Sequence, residues 1–132
     1  MDTSSHRLSR PTVLVVDDDE LLRQFMARAL EAQGYCVIRA ENGRVAWELL
    51  RNIGGTVDAV VTDVVMPLMD GVELASCIAG LPNAPPLVLV SAYPYHHAVM
   101  DHPFLPKPFS AEQLVAILGR VVGALECRKV GS

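Results

Sequence analysis

The chain has 132 residues, 51% of them apolar and 20% charged, with a formal charge of −4 at pH 7. That composition describes one globular domain able to bury a core without staples, and its acidic balance argues against direct nucleic-acid binding, which usually needs a basic face. No apolar run approaches the ~20 residues that span a bilayer, so no membrane insertion is expected.

Residues 1–10 are polar and unpatterned, a flexible tail without the apolar segment of a signal peptide. Pro11 opens Thr12-Val13-Leu14-Val15-Val16, a nearly continuous apolar run typical of a strand covered on both faces. Leu21, Leu22, Phe25, Met26, Ala29 and Leu30 then recur at helical spacing, and Gly34 ends that helix. Cys36-Val37-Ile38 reads as a second strand, and Val45, Ala46, Leu49 and Leu50 as a helix begun near Asn42-Gly43. Ala59-Val60-Val61-Thr62 is a third strand, followed after Asp70-Gly71 by a helix carrying Val72, Leu74, Ala75, Ile78 and Ala79. Prolines 82, 85 and 86 precede a fourth strand, Leu87-Val88-Leu89-Val90. Phe104-Leu105 suits a brief fifth strand, placed at the sheet edge because Pro106 lacks an amide donor. Ser110 and Gln113 form a capping box for the last helix, whose buried stripe is Leu114, Ile117, Leu118, Val121, Val122 and Leu125.

Strands alternating with helices imply an α/β fold, a doubly wound parallel sheet with helices on both faces. Ligands bind such sheets beyond the carboxyl ends of the strands. Two apolar runs here end in carboxylates, Asp17-Asp18-Asp19 and Asp63. Unpaired burial of a carboxylate costs several kcal/mol, so this rim needs a cation. Two more strand ends bring Ser91 and Lys107 to the same place. Mg2+ suits the set, since it takes one or two carboxylates, keeps water and leaves room for a phosphate. The three cysteines, Cys36, Cys77 and Cys127, are far apart in no metal-type spacing and read as buried or neutral thiols of a reducing compartment. A cytoplasmic location is expected.

The strings Val-Leu-Val-Val-Asp-Asp, Thr-Asp-Val-Val-Met-Pro-Leu-Met-Asp-Gly, Val-Ser-Ala and Lys-Pro-Phe occur in that order. In these the chain resembles a receiver domain of bacterial two-component response regulators, of the kind typified by the chemotaxis regulator. The resemblance implies a receiver domain over 11–127, a short tail at 128–132, and five strands in the flavodoxin-like order 2-1-3-4-5. It implies a regulatory domain, not an enzyme beyond its own phosphorylation and dephosphorylation.

By that resemblance Asp63 is the phospho-acceptor, receiving its phosphoryl group from a histidine kinase or histidine phosphotransfer protein. Asp18 would bind Mg2+ directly, Asp17 directly or through water, Asp63 alongside them, and Val65 through its backbone carbonyl. Lys107 would pair with Asp63 or the phosphate, and the Ser91 hydroxyl would bond the phosphate. Small Ala92 would leave the site open. Phe104 stands where the family has its switch aromatic, though it reads equally as a buried ring. Asp19 is assigned to the helix cap, and Lys107-Pro108 to the family's cis peptide. Val65 and Tyr93 border the path of the hydrolytic water, and neither suits its orientation, so a long-lived phosphoryl group is expected.

Ser91 and Lys107 are closer in sequence than in the usual receiver, and Pro94 and Pro103 bound a stretch with little helical pattern. A shortened or missing fourth helix is expected, with the surface offered to the downstream partner altered accordingly. His96, His97, Asp101 and His102 fit no standard zinc spacing and read as a polar loop. Three alternatives stay open. One is the receiver module of a hybrid histidine kinase. Another is a haloacid-dehalogenase-type phosphatase using Asp17-Asp18-Asp19. The last is an interaction module without phosphorylation.

Overall fold

The computed structural model describes residues 10–93 and 102–131, with side chains of the last helix described up to Gly123. Strands β1 (Thr12–Val16), β2 (Cys36–Ala40), β3 (Ala59–Asp63), β4 (Leu87–Ser91) and β5 (Phe104–Pro106) form one parallel sheet in the order β2-β1-β3-β4-β5. Helices α1 (Glu20–Glu31), α2 (Gly43–Ile53), α3 (Gly71–Ala79) and α4 (Ala111–Gly131) cover it, and a 3-10 turn at Gly54–Thr56 follows α2. Among the described residues, no helix is long and apolar enough to cross a membrane.

Strand alternation divides the core into two layers. Val13 and Val15 of β1, with Val61, Val88 and Val90, pack under Met26 and Leu30 of α1 and Leu114 and Leu118 of α4. Leu14 and Val16, with Val60, Leu87 and Leu89, pack under Ala46 and Leu50 of α2 and Leu74 and Ile78 of α3. The middle strands are sealed on both sides, which is why they read as unbroken apolar runs: every residue of β3 and β4 is buried. Packing of this kind supplies roughly 1.5–3 kcal/mol per large side chain buried.

Each helix begins on a side-chain cap. Asp19 Oδ1 accepts from the amides of Leu21 and Leu22 at 3.0 and 3.2 Å. Asn42 Oδ1 accepts from Val45 N–H at 2.9 Å. Asp70 and Glu73 form a reciprocal capping box on α3, and Ser110 and Gln113 form the expected one on α4. Gly34 closes the α1–β2 turn at φ +97, a conformation a β-carbon would strain.

Strand order and the edge position of β5 are as expected. At the carboxyl end α4 runs to Gly131. Cys36 is exposed at the β2 edge and Cys77 is half-buried, and both are free thiols. The expected shortened fourth helix falls on residues 94–101, and the expected amino-terminal tail, apart from Arg10, on residues 1–9. Both lie outside the described residues.

Candidate functional site

Parallel strands end on one rim, and register fixes which residues meet there. Asp63 pairs with Val90 across β3–β4, and Ser91 with Pro106 across β4–β5. Lys107 N–H donates to the Ser91 carbonyl at 2.8 Å, extending that ladder one residue and setting the lysine above the sheet. The Lys107–Pro108 peptide is cis. At the other side, Asp17 N–H donates to the Ala40 carbonyl at 3.2 Å, which carries the first acid one step beyond β1.

Oxygens of Asp17, Asp18 and Asp63 all lie within 4.8 Å of one another. The three acids differ in surroundings. Asp17 is fully buried, Asp63 nearly so, and Asp18 is exposed. Lys107 Nζ stands 3.3 Å from Asp63 Oδ1 and 3.5 Å from Asp17 Oδ2, one ammonium serving two carboxylates. Asp63 Oδ1 also accepts from Val64 N–H at 2.9 Å, and Asp17 Oδ1 from Asp19 N–H at 2.9 Å.

The electrostatics follow from that crowding. Burial pushes Asp17 up to about 6; the Asp19 amide opposes it, Asp63 adds to it, Lys107 opposes it and Asp18 adds to it. Asp63 is raised as well, chiefly by burial, with Lys107 and the Val64 amide holding it back. Three carboxylates against one ammonium leave negative charge that a hard cation would offset. Asp18 and Asp63, with Asp17 beside them, form an oxygen donor set of the kind Mg2+ takes. The residues therefore fit the ion.

The loop after Asp63 is built to approach the strand closely. Gly71 N–H donates to the Val64 carbonyl at 2.8 Å, and a β-carbon at 71 would collide with the Asp63 carbonyl oxygen. Only glycine fits there. The Val65 carbonyl accepts no backbone hydrogen bond among the described residues, while its side chain is exposed. Ser91 is buried, and its Oγ accepts from Tyr93 N–H at 3.1 Å, pointing at its own turn instead of at Asp63. Ala92 and Tyr93 are exposed beside it. Phe104 is half-buried against the α2–α3 layer, level with Leu89.

All the acids, the hydroxyl and the lysine predicted from sequence thus converge on one rim, and Asp19 is the cap it was expected to be. Of the histidine-rich stretch, only His102 lies among the described residues, half-buried. Sequence reasoning missed the Asp17–Lys107 contact and two supports of the site. Thr62 Oγ1 donates to the Asp63 carbonyl at 2.9 Å, and Arg23 Nη1 donates to the Asp17 carbonyl at 2.7 Å. A signal existed for Arg23. Helical side chains tilt toward the amino end, so a cation one turn into α1 reaches back over the loop that precedes it.

The family model described as the response regulator receiver domain matches residues 13–119. The sensor kinase CckA of Brucella abortus is 40% identical over 109 residues, which cover 78% of this chain and 12% of that protein. The response regulator MprA of Mycolicibacterium vanbaalenii is 36% identical over 110 residues, covering 79% of this chain and 47% of MprA. This chain thus spans less than half the length of either relative. Among solved structures, the receiver domain of the hybrid histidine kinase CckA aligns with a TM-score of 0.75 at 31% identity, covering 84% of this chain and 98% of that one. The chemotaxis protein CheY4 of Vibrio cholerae aligns with a TM-score of 0.75 at 28% identity, covering 85% and 98%. The chain belongs to the response regulator receiver domain family of two-component signalling proteins.

Proposed function

We propose that this chain accepts a phosphoryl group from a phosphohistidine onto Asp63, with Mg2+ present, and passes the change to a protein partner. One observation carries the reading: Asp63 stands at the carboxyl end of a buried strand with Lys107 at 3.3 Å and two further acids within 4.8 Å. Among the described residues, the Lys107 and Val64 contacts of its carboxylate both fall on Oδ1. Oδ2 is the oxygen left for an incoming group.

In the step proposed, that oxygen attacks phosphorus and forms an O–P bond. The donor's P–N bond breaks, its electron pair returns to the ring nitrogen, and that nitrogen takes a proton from solvent. Lys107 holds Asp63 in its ionised, nucleophilic form and afterwards neutralises a phosphoryl oxygen. Asp18, the outer face of Asp63 and the Val65 carbonyl would hold Mg2+, with Asp17 as a neighbour engaged by the protein. When bound, the ion supplies positive charge to the oxygens of the group in transfer. Ser91 Oγ now accepts from Tyr93, so its proton is available to donate to an Asp63-bound phosphate. Phe104, on the same face of the sheet as Ser91, is the ring placed to follow that movement.

Receiver domains act with histidine kinases and downstream effectors. Exposed Leu21 and Phe25 on α1, Val65 and Leu68 after β3 and Tyr93 after β4 ring the acidic rim and supply an apolar docking margin for the phosphodonor. The identity with CckA favours a second placement of the same chemistry, as the receiver module of a hybrid histidine kinase. The phosphatase alternative would need Asp17 as nucleophile, yet Asp19 and Lys107 already engage both its carboxylate oxygens. A cytoplasmic site of action and a working unit over 11–127 belong to this reading too.

The test is intact mass spectrometry after treatment with acetyl phosphate and Mg2+. One phosphoryl adduct is expected, mapped to Asp63 and missing from Asp63→Asn, with no turnover of a phosphomonoester. An unmodified protein, or an adduct elsewhere, refutes the proposal and leaves the interaction module.

A further inference from the structure

Arg23 is the one guanidinium that reaches the acidic loop among the described residues, and it does not do what an arginine beside three carboxylates ordinarily does. Such a group would take a carboxylate in a bidentate pair. Arg23 makes no ion pair among the described residues; its Nη1 donates at 2.7 Å to the backbone carbonyl of Asp17. The contact closes a set. Asp17 N–H is fixed on Ala40, Oδ1 on the Asp19 amide, Oδ2 on Lys107, and the carbonyl on Arg23. Asp19, next but one in the loop, is fixed in turn by its cap and by accepting Arg23 N–H at 2.9 Å on its carbonyl. Asp18 lies between these two fixed points, exposed, with its carboxylate within 4.8 Å of both other acids.

We infer that Arg23 is a positioning residue for the cation site: it fixes the turn that carries Asp18 without consuming a carboxylate the ion needs. This rests on the Mg2+ reading given above. Geometry and charge pull opposite ways here, which makes the inference decidable. A cation near a metal site repels the ion, so removing the charge alone would tighten binding. Losing the bond that holds the ligand turn would loosen it, by about tenfold for supports of this kind.

The experiment is calorimetric titration of wild type, Arg23→Gln and Arg23→Lys with Mg2+, beside urea unfolding of each in EDTA. The expected result is a dissociation constant about tenfold weaker in Arg23→Gln. Arg23→Lys, which keeps the charge but not the planar donor, is expected to weaken binding as well, with metal-free midpoints little changed. Binding in the variants equal to or tighter than wild type overturns the inference, as does weakening that only tracks lost metal-free stability. Absence of Mg2+ binding in wild type sinks the cation reading itself and this inference with it. Should the variants not fold, 15N NMR of the wild-type Arg23 guanidinium decides: hindered rotation supports the clamp, and free rotation overturns it.

Discussion

Lys107 Nζ lies 3.3 Å from Asp63 Oδ1 although 44 positions of chain separate the two, because β4 lies between their strands and aligns both ends. The same ammonium is 3.5 Å from Asp17 Oδ2, so it holds down two carboxylates that burial pushes toward protonation. Lys107→Met should raise both further. Carboxyl 13C shifts of Asp63 should titrate at higher pH than in wild type, and phosphorylation by acetyl phosphate at pH 7 should fall by about tenfold or more. Unchanged titration would mean the lysine is a bystander.

Stability should depend on pH through Asp17, and its sign is fixed by the direction of the shift. Asp17 holds its proton to about 6 in the folded protein, against 3.8 when unfolded. Between those values the folded state binds more protons, so stability falls as pH rises, by roughly 3 kcal/mol in all. The contribution is complete below the unfolded value and gone above the folded one. Mg2+ competes with protons, so its stabilisation should be small at pH 4.5 and grow through pH 6 to 7.5. Urea unfolding in EDTA and in Mg2+ at these pH values measures both effects. The difference from Asp17→Asn isolates the residue; a metal-free difference that does not change with pH refutes the assignment.

Gly71→Ala should be among the most damaging single changes in the chain. The added methyl would meet the Asp63 carbonyl oxygen and the Val64 backbone, neither of which can turn aside like a side chain. A loss of about 2–4 kcal/mol in denaturant unfolding is expected, with weaker phospho-acceptance because the Asp63 backbone must shift. Leu68 offers the opposite case. It is largely exposed and sits at φ +71, where a leucine is strained. Leu68→Asn should stabilise by about 1 kcal/mol in the same assay.

Most of this is legible in the sequence because the fold is covered on both faces. Sealed strands such as Val60-Val61 and Val88-Leu89-Val90 leave unbroken apolar runs, and a charge that ends such a run must lie at its rim. Asp63 announces itself that way. Which of Asp17 and Asp18 is buried does not, since it depends on one backbone bond to Ala40 and on a lysine 90 residues away. Arg23 was harder to read for a related reason: its partner is a carbonyl, which every residue has, so only the tilt of helical side chains toward the amino end marks the pair.

The lifetime of the phosphoryl group should be set by what surrounds the line of attack opposite Asp63. Val65 is 52% exposed and Tyr93 62% exposed, both flanking the rim after β3 and β4. Valine has no polar atom that could accept a proton from water or hold it in line, so position 65 gives the attacking water no assistance. Val65→Asn places an amide where it can orient that water and should shorten the half-life of the phosphoprotein several-fold, with little effect on folding because the position is exposed. Following decay of the intact-mass adduct after removal of the donor measures it directly. A rate unchanged or slower in Val65→Asn would show that water reaches phosphorus by another path, and that the apolar rim serves docking alone.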